Sequence, residues 1–152
     1  DMMQLKVAIK LAFEHDNHIM FEEFIDGTEV SCGVFYNNAI TSLPVTEIVT
    51  DNEFFDYEAK YEGKSNEITP ARINKKIYTE IKNLTEKIYS DLNLKGICRV
   101  DYIIKNNLAY IIEINTIPGL SKESIVPKQL KCMNISLSEI FKISIENATF
   151  NE

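Results

Sequence analysis

Apolar residues recur at Leu5, Ala8, Ile9, Ala12 and Phe13, so residues 2 to 15 are predicted to form an amphipathic helix ending before the polar turn His15-Asp16-Asn17. The period then shortens. Ile19 to Ile25 reads as a buried strand cut by Asp26-Gly27, and Glu29 to Tyr36 as a second strand with a hairpin turn at Asn37-Asn38, after which Ala39 to Thr50 continues the sheet. From Asp51 to Pro70 the chain is acidic, aromatic and aperiodic, the signature of a lid or an Ω-type loop. Thr69-Pro70 opens a long helix to about Asn93, with Ile73, Ile77, Ile81, Leu84, Ile88 and Leu92 as its inner stripe and Lys95-Gly96 as its stop. Two β-branched runs, Tyr102-Ile103-Ile104 and Tyr110-Ile111-Ile112, form a hairpin around an Asn-Asn turn. A Pro-Gly loop, a short helix over 125 to 131 and a last helix from Ser136 or Ser138 follow, the latter with Leu137, Ile140, Phe141 and Ile145 on its apolar side. The whole chain reads as one α+β unit, a largely antiparallel sheet packed with helices.

The hairpin carries the chemistry. Side chains alternate along a strand, so Glu113 and Asn115 face the same way, and register decides whether Asp101 joins them. A two-residue turn at Asn106-Asn107 would set Asp101 across from Ile112, whereas a three-residue loop, Asn106 to Leu108, would set it opposite Glu113. A functional cluster therefore requires an odd loop or a bulge. Two carboxylates and an amide suit a hard cation and leave room for waters and phosphate oxygens, as magnesium prefers. Acidic residues near strand ends are also found simply solvated. Here the apolar neighbours Ile103, Ile111, Ile112 and Ile114 predict strands covered on both faces, where carboxylates are costly without a cation.

With 152 residues, 45% of them hydrophobic, the chain can bury a core of its own. A net charge of -7 argues against nucleic acid or an anionic membrane surface as the main partner. Cys32, Cys98 and Cys132 show no CxxC spacing and read as buried thiols in a reducing cytosol; His15 and His18 read as surface residues of a turn. No stretch approaches the length of a membrane span and no basic, apolar leader precedes it, so an intracellular, cytoplasmic protein is expected. The first helix is already under way at Asp1 without an evident cap, which predicts a chain whose upstream portion is absent.

Four segments, Glu22-Glu23-Phe24-Ile25-Asp26-Gly27-Thr28-Glu29, Phe54-Phe55-Asp56-Tyr57-Glu58-Ala59-Lys60-Tyr61, Gly96-Ile97-Cys98-Arg99-Val100-Asp101 and Glu113-Ile114-Asn115-Thr116-Ile117-Pro118-Gly119, together resemble the D-alanine:D-alanine ligases of the ATP-grasp superfamily. The resemblance covers essentially the whole chain. It implies that Asp101, Glu113 and Asn115 hold two magnesium ions, or manganese in their place, bridging the phosphates of ATP. It makes Arg99 and the Gly119 backbone N–H an oxyanion hole, and Ser124 and Ile125 the receptors of the second D-alanine's carboxylate at a helix start. Glu22, Glu23 and Ile25 would address adenine, Glu29 the ribose hydroxyls and Lys60 a phosphate, while Tyr61 would close over the second substrate. Related D-lactate-using ligases carry a histidine at the Tyr61 position, so tyrosine favours D-alanine.

The implied product feeds bacterial cell-wall peptidoglycan synthesis. The family is commonly homodimeric, largely through a portion this chain lacks. It also has an N-terminal domain and a small upstream subdomain with a glycine-rich loop, neither found before Asp1, so residues 1–152 are expected to be the C-terminal part of an ATP-grasp domain and inactive alone. Rival readings are another ATP-grasp carboxylate–amine ligase, a D-alanine:D-lactate ligase, and a non-catalytic nucleotide- or protein-binding domain.

Overall fold

The computed structural model describes residues 1–50 and 65–149. Helix α1 spans Met2–Phe13; strands β1, β2, β3 and β4 span Thr28–Asn37, Ala39–Ser42, Thr46–Thr50 and Ser65–Ile68; helix α2 spans Lys75–Asp91. Strands β5 and β6 follow at Cys98–Lys105 and Leu108–Asn115, then helices α3 at Ile125–Cys132 and α4 at Leu137–Thr149. The fold is α+β. One antiparallel sheet runs in the order β4-β3-β1-β5-β6, and β2 pairs with the far end of β1.

β1 is the central strand and reads as an almost continuously buried run, as expected of a strand covered on both faces. Its even-numbered residues Val30 and Cys32 pack with Val100 and Tyr102 of β5 against Ile77, Ile81 and Ile88 of α2. The Tyr102 hydroxyl, 2.8 Å from Thr85 Oγ1, satisfies the polar atom this back layer buries. On the front, Phe35 and Leu43 meet Val126 and Leu130 of α3 and Ile140 of α4. These two helices pack their apolar residues on the Phe35 end, and α3 reaches Ser31 and Glu67 only through the polar side chains Gln129 and Lys128. The front of the sheet around Ser31 and Asp101 is left to polar side chains.

Several expectations change. Asp1 caps α1, its carboxylate accepting from Met3 and Gln4 N–H groups while Gln4 reaches back to the Asp1 nitrogen; the capping box uses Asp and Gln where no cap was expected. Residues 14–27 form no strand, and Met20, Phe21 and Phe24 are exposed; among the described residues no strand pairs with that run. Ser65–Ile68, expected to be loop, is β4, paired residue for residue with β3 despite a composition poor in apolar side chains. α2 starts at Lys75, not Pro70: Ala71 N–H bonds Val45 O at 2.8 Å and Arg72 N–H bonds Glu47, keeping that stretch along β3 until Asn74 caps the helix. The helix ends at Asn93, whose positive φ of 49° takes the role assigned to Gly96. Leu92, Phe141 and Ile145 of the expected stripes are exposed. Cys32 and Cys98 are buried as expected, whereas Cys132 is exposed; all three are free thiols. β6 is an edge strand with Ile111 and Ile112 about half exposed, so the hairpin is not covered on both faces. His18 is fully solvent-facing at its turn. No helix among the described residues is long and apolar enough to cross a membrane.

Candidate active site

The β5–β6 hairpin turns on Asn106 and Asn107, both with positive φ (55° and 59°), the primed turn that matches strand twist. Lys105 pairs with Leu108, so the turn is the two-residue form. A regular ladder from it would put Asp101 across from Ile112. Instead a bulge between Asp101 and Tyr102 leaves Ile112 as an extra residue, and Asp101 pairs with Glu113 and Arg99 with Asn115. The expected bulge is present, and it is what assembles the cluster.

Asp101 is the hub. Arg99 forks onto it, Nε donating to Oδ1 at 2.9 Å and Nη2 to Oδ2 at 2.8 Å. Asn115 Nδ2 donates to Asp101 Oδ2 and to Glu113 Oε1, each at 3.0 Å, bracing the carboxylates against each other. Arg99 Nη2 also stands 3.7 Å from Glu113 Oε1. Burial disfavours the Arg99 charge, yet its bonds with Asp101 and the fields of Asp101, Glu113 and Glu67 outweigh that and hold its pKa above the ordinary arginine value. Two carboxylates thus share one guanidinium. Two carboxylates and an amide brought this close supply the oxygen donors of a hard divalent cation, with Asn115 able to turn its amide oxygen inward.

Three contributors escaped the sequence reading. Ser31 is fully buried, pairs with Asp101 across β1–β5, and its hydroxyl donates to Asp101 Oδ1 at 2.5 Å. Glu67 of β4 acts electrostatically on Arg99 and is ion-paired with Lys128 of α3 at 2.8 Å. Gln129 of α3, also fully buried, bonds β1. Ser31 was within reach of period-two reasoning, since Glu29 and Ser31 share a face; the helix residues carried no such signal.

Glu29 lies on β1 opposite Ile103, two residues from Ser31 on the same face. Gly119 and Ser124 come together beyond β6: a Cβ at Gly119 would stand 2.8 Å from Ser124 Oγ, so a larger residue would displace that hydroxyl. Ser124 is the N-cap residue of α3 but makes no side-chain cap, its hydroxyl bonding Ser121 Oγ at 2.8 Å instead, and Ile125 is buried as the first helical residue. Glu22 and Glu23 are exposed and Ile25 half-buried in the irregular lead-in to β1; among the described residues no hydrogen bond joins them to the Asp101 cluster. Lys60 and Tyr61 lie outside the described residues. A concavity of about 730 Å³ between the β1–β2 hairpin and the ends of α2 and α4 is lined by Gly96 but by none of Arg99, Asp101, Glu113 and Asn115, so shape alone does not locate the site.

A family model described as the D-ala D-ala ligase C-terminus matches residues 1–146. The chain belongs to that family. Among its D-Ala–D-Ala ligase relatives, the D-alanine–D-alanine ligase of Flavobacterium johnsoniae is 51% identical over 144 residues, covering 94% of this chain and 45% of the relative. That of Christiangramia forsetii is 47% identical over 142 residues, covering 93% and 44%. The chain therefore spans just under half the length of these ligases. Among solved structures, the Bacillus anthracis D-alanine–D-alanine ligase complexed with ATP superposes with a TM-score of 0.78 at 28% identity, covering 96% of this chain and 47% of that one. The VanG D-Ala:D-Ser ligase of Enterococcus faecalis gives a TM-score of 0.78 at 34% identity, covering 95% and 43%.

Proposed function

We propose that this chain is the metal- and nucleotide-facing C-terminal part of an ATP-dependent ligase that joins two D-alanines into D-alanyl-D-alanine for peptidoglycan. The observation that carries the reading is the bulge that sets Asp101 opposite Glu113 with Arg99 between them, in a chain belonging to the ligase family. The carboxylate of one D-alanine takes the terminal phosphoryl group of ATP, releasing ADP. The amine of the second D-alanine attacks the resulting acyl phosphate, loses a proton, and phosphate leaves from the tetrahedral intermediate.

Asp101, Glu113 and Asn115 would hold two magnesium ions, or manganese, which when bound neutralise phosphate charge. Arg99, held against Asp101 by a forked set of hydrogen bonds, has a fixed positive charge to offer the intermediate's oxyanion, and Gly119 would offer its N–H to the same oxygen. Ser124 and Ile125 open α3, where a helix N-terminus favours the acceptor's carboxylate. Glu29 would accept from the ribose hydroxyls, Glu22, Glu23 and Ile25 would line the adenine edge, and Lys60 and Tyr61 would close over phosphate and acceptor. A reaction consuming ATP belongs in the cytoplasm. No covalent enzyme nucleophile is required.

The test uses the full-length protein with ATP, magnesium and D-alanine. D-alanine-dependent phosphate release with D-alanyl-D-alanine as product is the expected result; release that ignores D-alanine would sink the reading. The likeness to a D-Ala:D-Ser ligase at 34% identity makes D-serine the second acceptor to test, while the D-alanine–D-alanine ligase of Flavobacterium johnsoniae, at 51%, supports D-alanine. Competition between D-alanine, D-serine and D-lactate decides that, with D-alanine expected to win.

A further inference from the structure

β1 changes partners in mid-strand. Its outer half pairs with β2 up to Val34↔Ser42, its inner half pairs with β3 from Ser31↔Thr46, and Leu43 to Val45 lie between, with the Leu43 N–H bonding back to Gly33 O at 2.7 Å and the Cys32 thiol donating to Leu43 O at 3.4 Å. At that break sits the Gln129 carboxamide. Its Oε1 accepts from Gly33 N–H at 3.1 Å, and its Nε2 donates to Ser31 O at 2.9 Å and to Thr46 Oγ1 at 3.1 Å. With one acceptor and one donor group it serves β1 as a peptide of a neighbouring strand would. Gly33 is part of the fit, since a Cβ there would stand 2.7 Å from Gln129 Oε1.

The two residues clasped are the ones opposite the chemistry. Ser31 pairs with Asp101 and Gly33 with Arg99, and the Ser31 hydroxyl also bonds the Asp101 carboxylate. On the other side, Gln129 is one helical turn from Ile125, on the same face of α3. A helix only eight residues long is thus pinned to the sheet by a buried side chain at its middle, with Ser124 and Ile125 at its start.

We propose that Gln129 is a positioning residue, fixing the spacing between the helix start that receives the acceptor's carboxylate and the strands that carry Asp101 and Arg99. This rests on the ligase reading above. An apolar residue of similar size could fill the space, so burial alone does not require glutamine. What glutamine adds is direction: three hydrogen bonds fix the rotation and height of α3 over β1, where a misplacement of about 1 Å is enough to slow a two-substrate reaction.

The experiment compares Gln129→Leu, Gln129→Glu and Thr46→Val in the full-length ligase, measuring KM for the second D-alanine, KM for ATP, kcat and Tm. Gln129→Leu is expected to raise the acceptor KM roughly tenfold while the ATP KM stays within about twofold. Thr46→Val, which removes one of the three bonds, gives a smaller shift in the same direction and serves if the leucine variant does not fold. Gln129→Glu is expected to recover acceptor affinity as pH falls, because the neutral carboxylic acid again offers a donor and an acceptor. A lowered Tm with unchanged acceptor KM in the folded variants, or a glutamate variant with no such pH dependence, overturns the proposal. Absence of D-alanine-dependent turnover in the unmodified protein overturns the ligase reading and this one with it.

Discussion

Two bidentate arginine–carboxylate pairs sit on this sheet, and they differ in company rather than in geometry. Arg72 grips Glu47 through Nε at 2.9 Å and Nη2 at 3.0 Å, and Arg99 grips Asp101 through Nε at 2.9 Å and Nη2 at 2.8 Å. Both carboxylates are nearly buried. Arg72, however, is mostly exposed and meets one carboxylate, and its backbone N–H bonds the same group, tying the approach to α2 onto β3. Arg99 is mostly buried and lies between two carboxylates, with Ser31 and Asn115 also bonded to Asp101. One pair is balanced charge for charge; in the other a single guanidinium lies between two carboxylates, Asp101 and Glu113. An ion pair alone therefore says little about function, and the groups gathered around it say more.

The same substitution in both places tests that contrast. Arg99→Lys in the full-length protein keeps the charge but loses the planar fork, and is expected to lower D-alanine-dependent phosphate release roughly a hundredfold. Arg72→Lys should leave kcat and both KM values unchanged; equal losses at the two sites would break the comparison. Ser31→Ala removes a bond to Asp101 that Arg72's partner has no equivalent of. It should raise the magnesium concentration for half-maximal turnover roughly tenfold, and weaken Mn²⁺ binding read by electron paramagnetic resonance alike. Unaltered binding would reduce Ser31 to a structural hydroxyl.

The smallest effect belongs to the balanced pair. The Arg72 hydrogen bond holds the Glu47 carboxyl below its ordinary value of 4.5, against a smaller opposing contribution from burial. A depressed folded-state pKa contributes stability that is present above pH 4.5 and is lost as pH falls through the folded value. Arg72→Ala should therefore lower stability modestly at pH 7 and down to about pH 4.5, the difference fading as pH falls through the folded value, and move the midpoint of acid unfolding upward by at most about half a pH unit. An acid midpoint that does not move would show that the Glu47 pair contributes nothing to acid resistance.

What the sequence disclosed follows from periodicity. α2 declared itself through Ile77, Ile81 and Ile88 at helical spacing, and the β5–β6 hairpin through paired β-branched runs around Asn106-Asn107. Even the bulge was foreseeable, because the functional register and the turn disagree by one residue. Ser65–Ile68 escaped because its pairing with β3, rather than its own pattern, makes it a strand. Residues 19–25 misled for the opposite reason: the composition suits a strand, but among the described residues no strand pairs with them. In the site, the shared face of Glu113 and Asn115 was legible from alternation. Gln129 was not, since a glutamine on a helix looks the same in sequence whether it faces water or closes a gap in a β-ladder.

The extra residue in β6 has a genetic consequence. Counting from the Asn106-Asn107 turn, loss of the Ile112 codon would yield a regular hairpin with Asp101 still opposite Glu113, Val100 opposite Ile114 and Arg99 opposite Asn115. A single-residue deletion within a strand ordinarily throws every side chain beyond it onto the wrong face. Here it would erase only the local bend. This strand can shorten by one residue without scrambling the alphabet of its site, and the price falls on curvature alone.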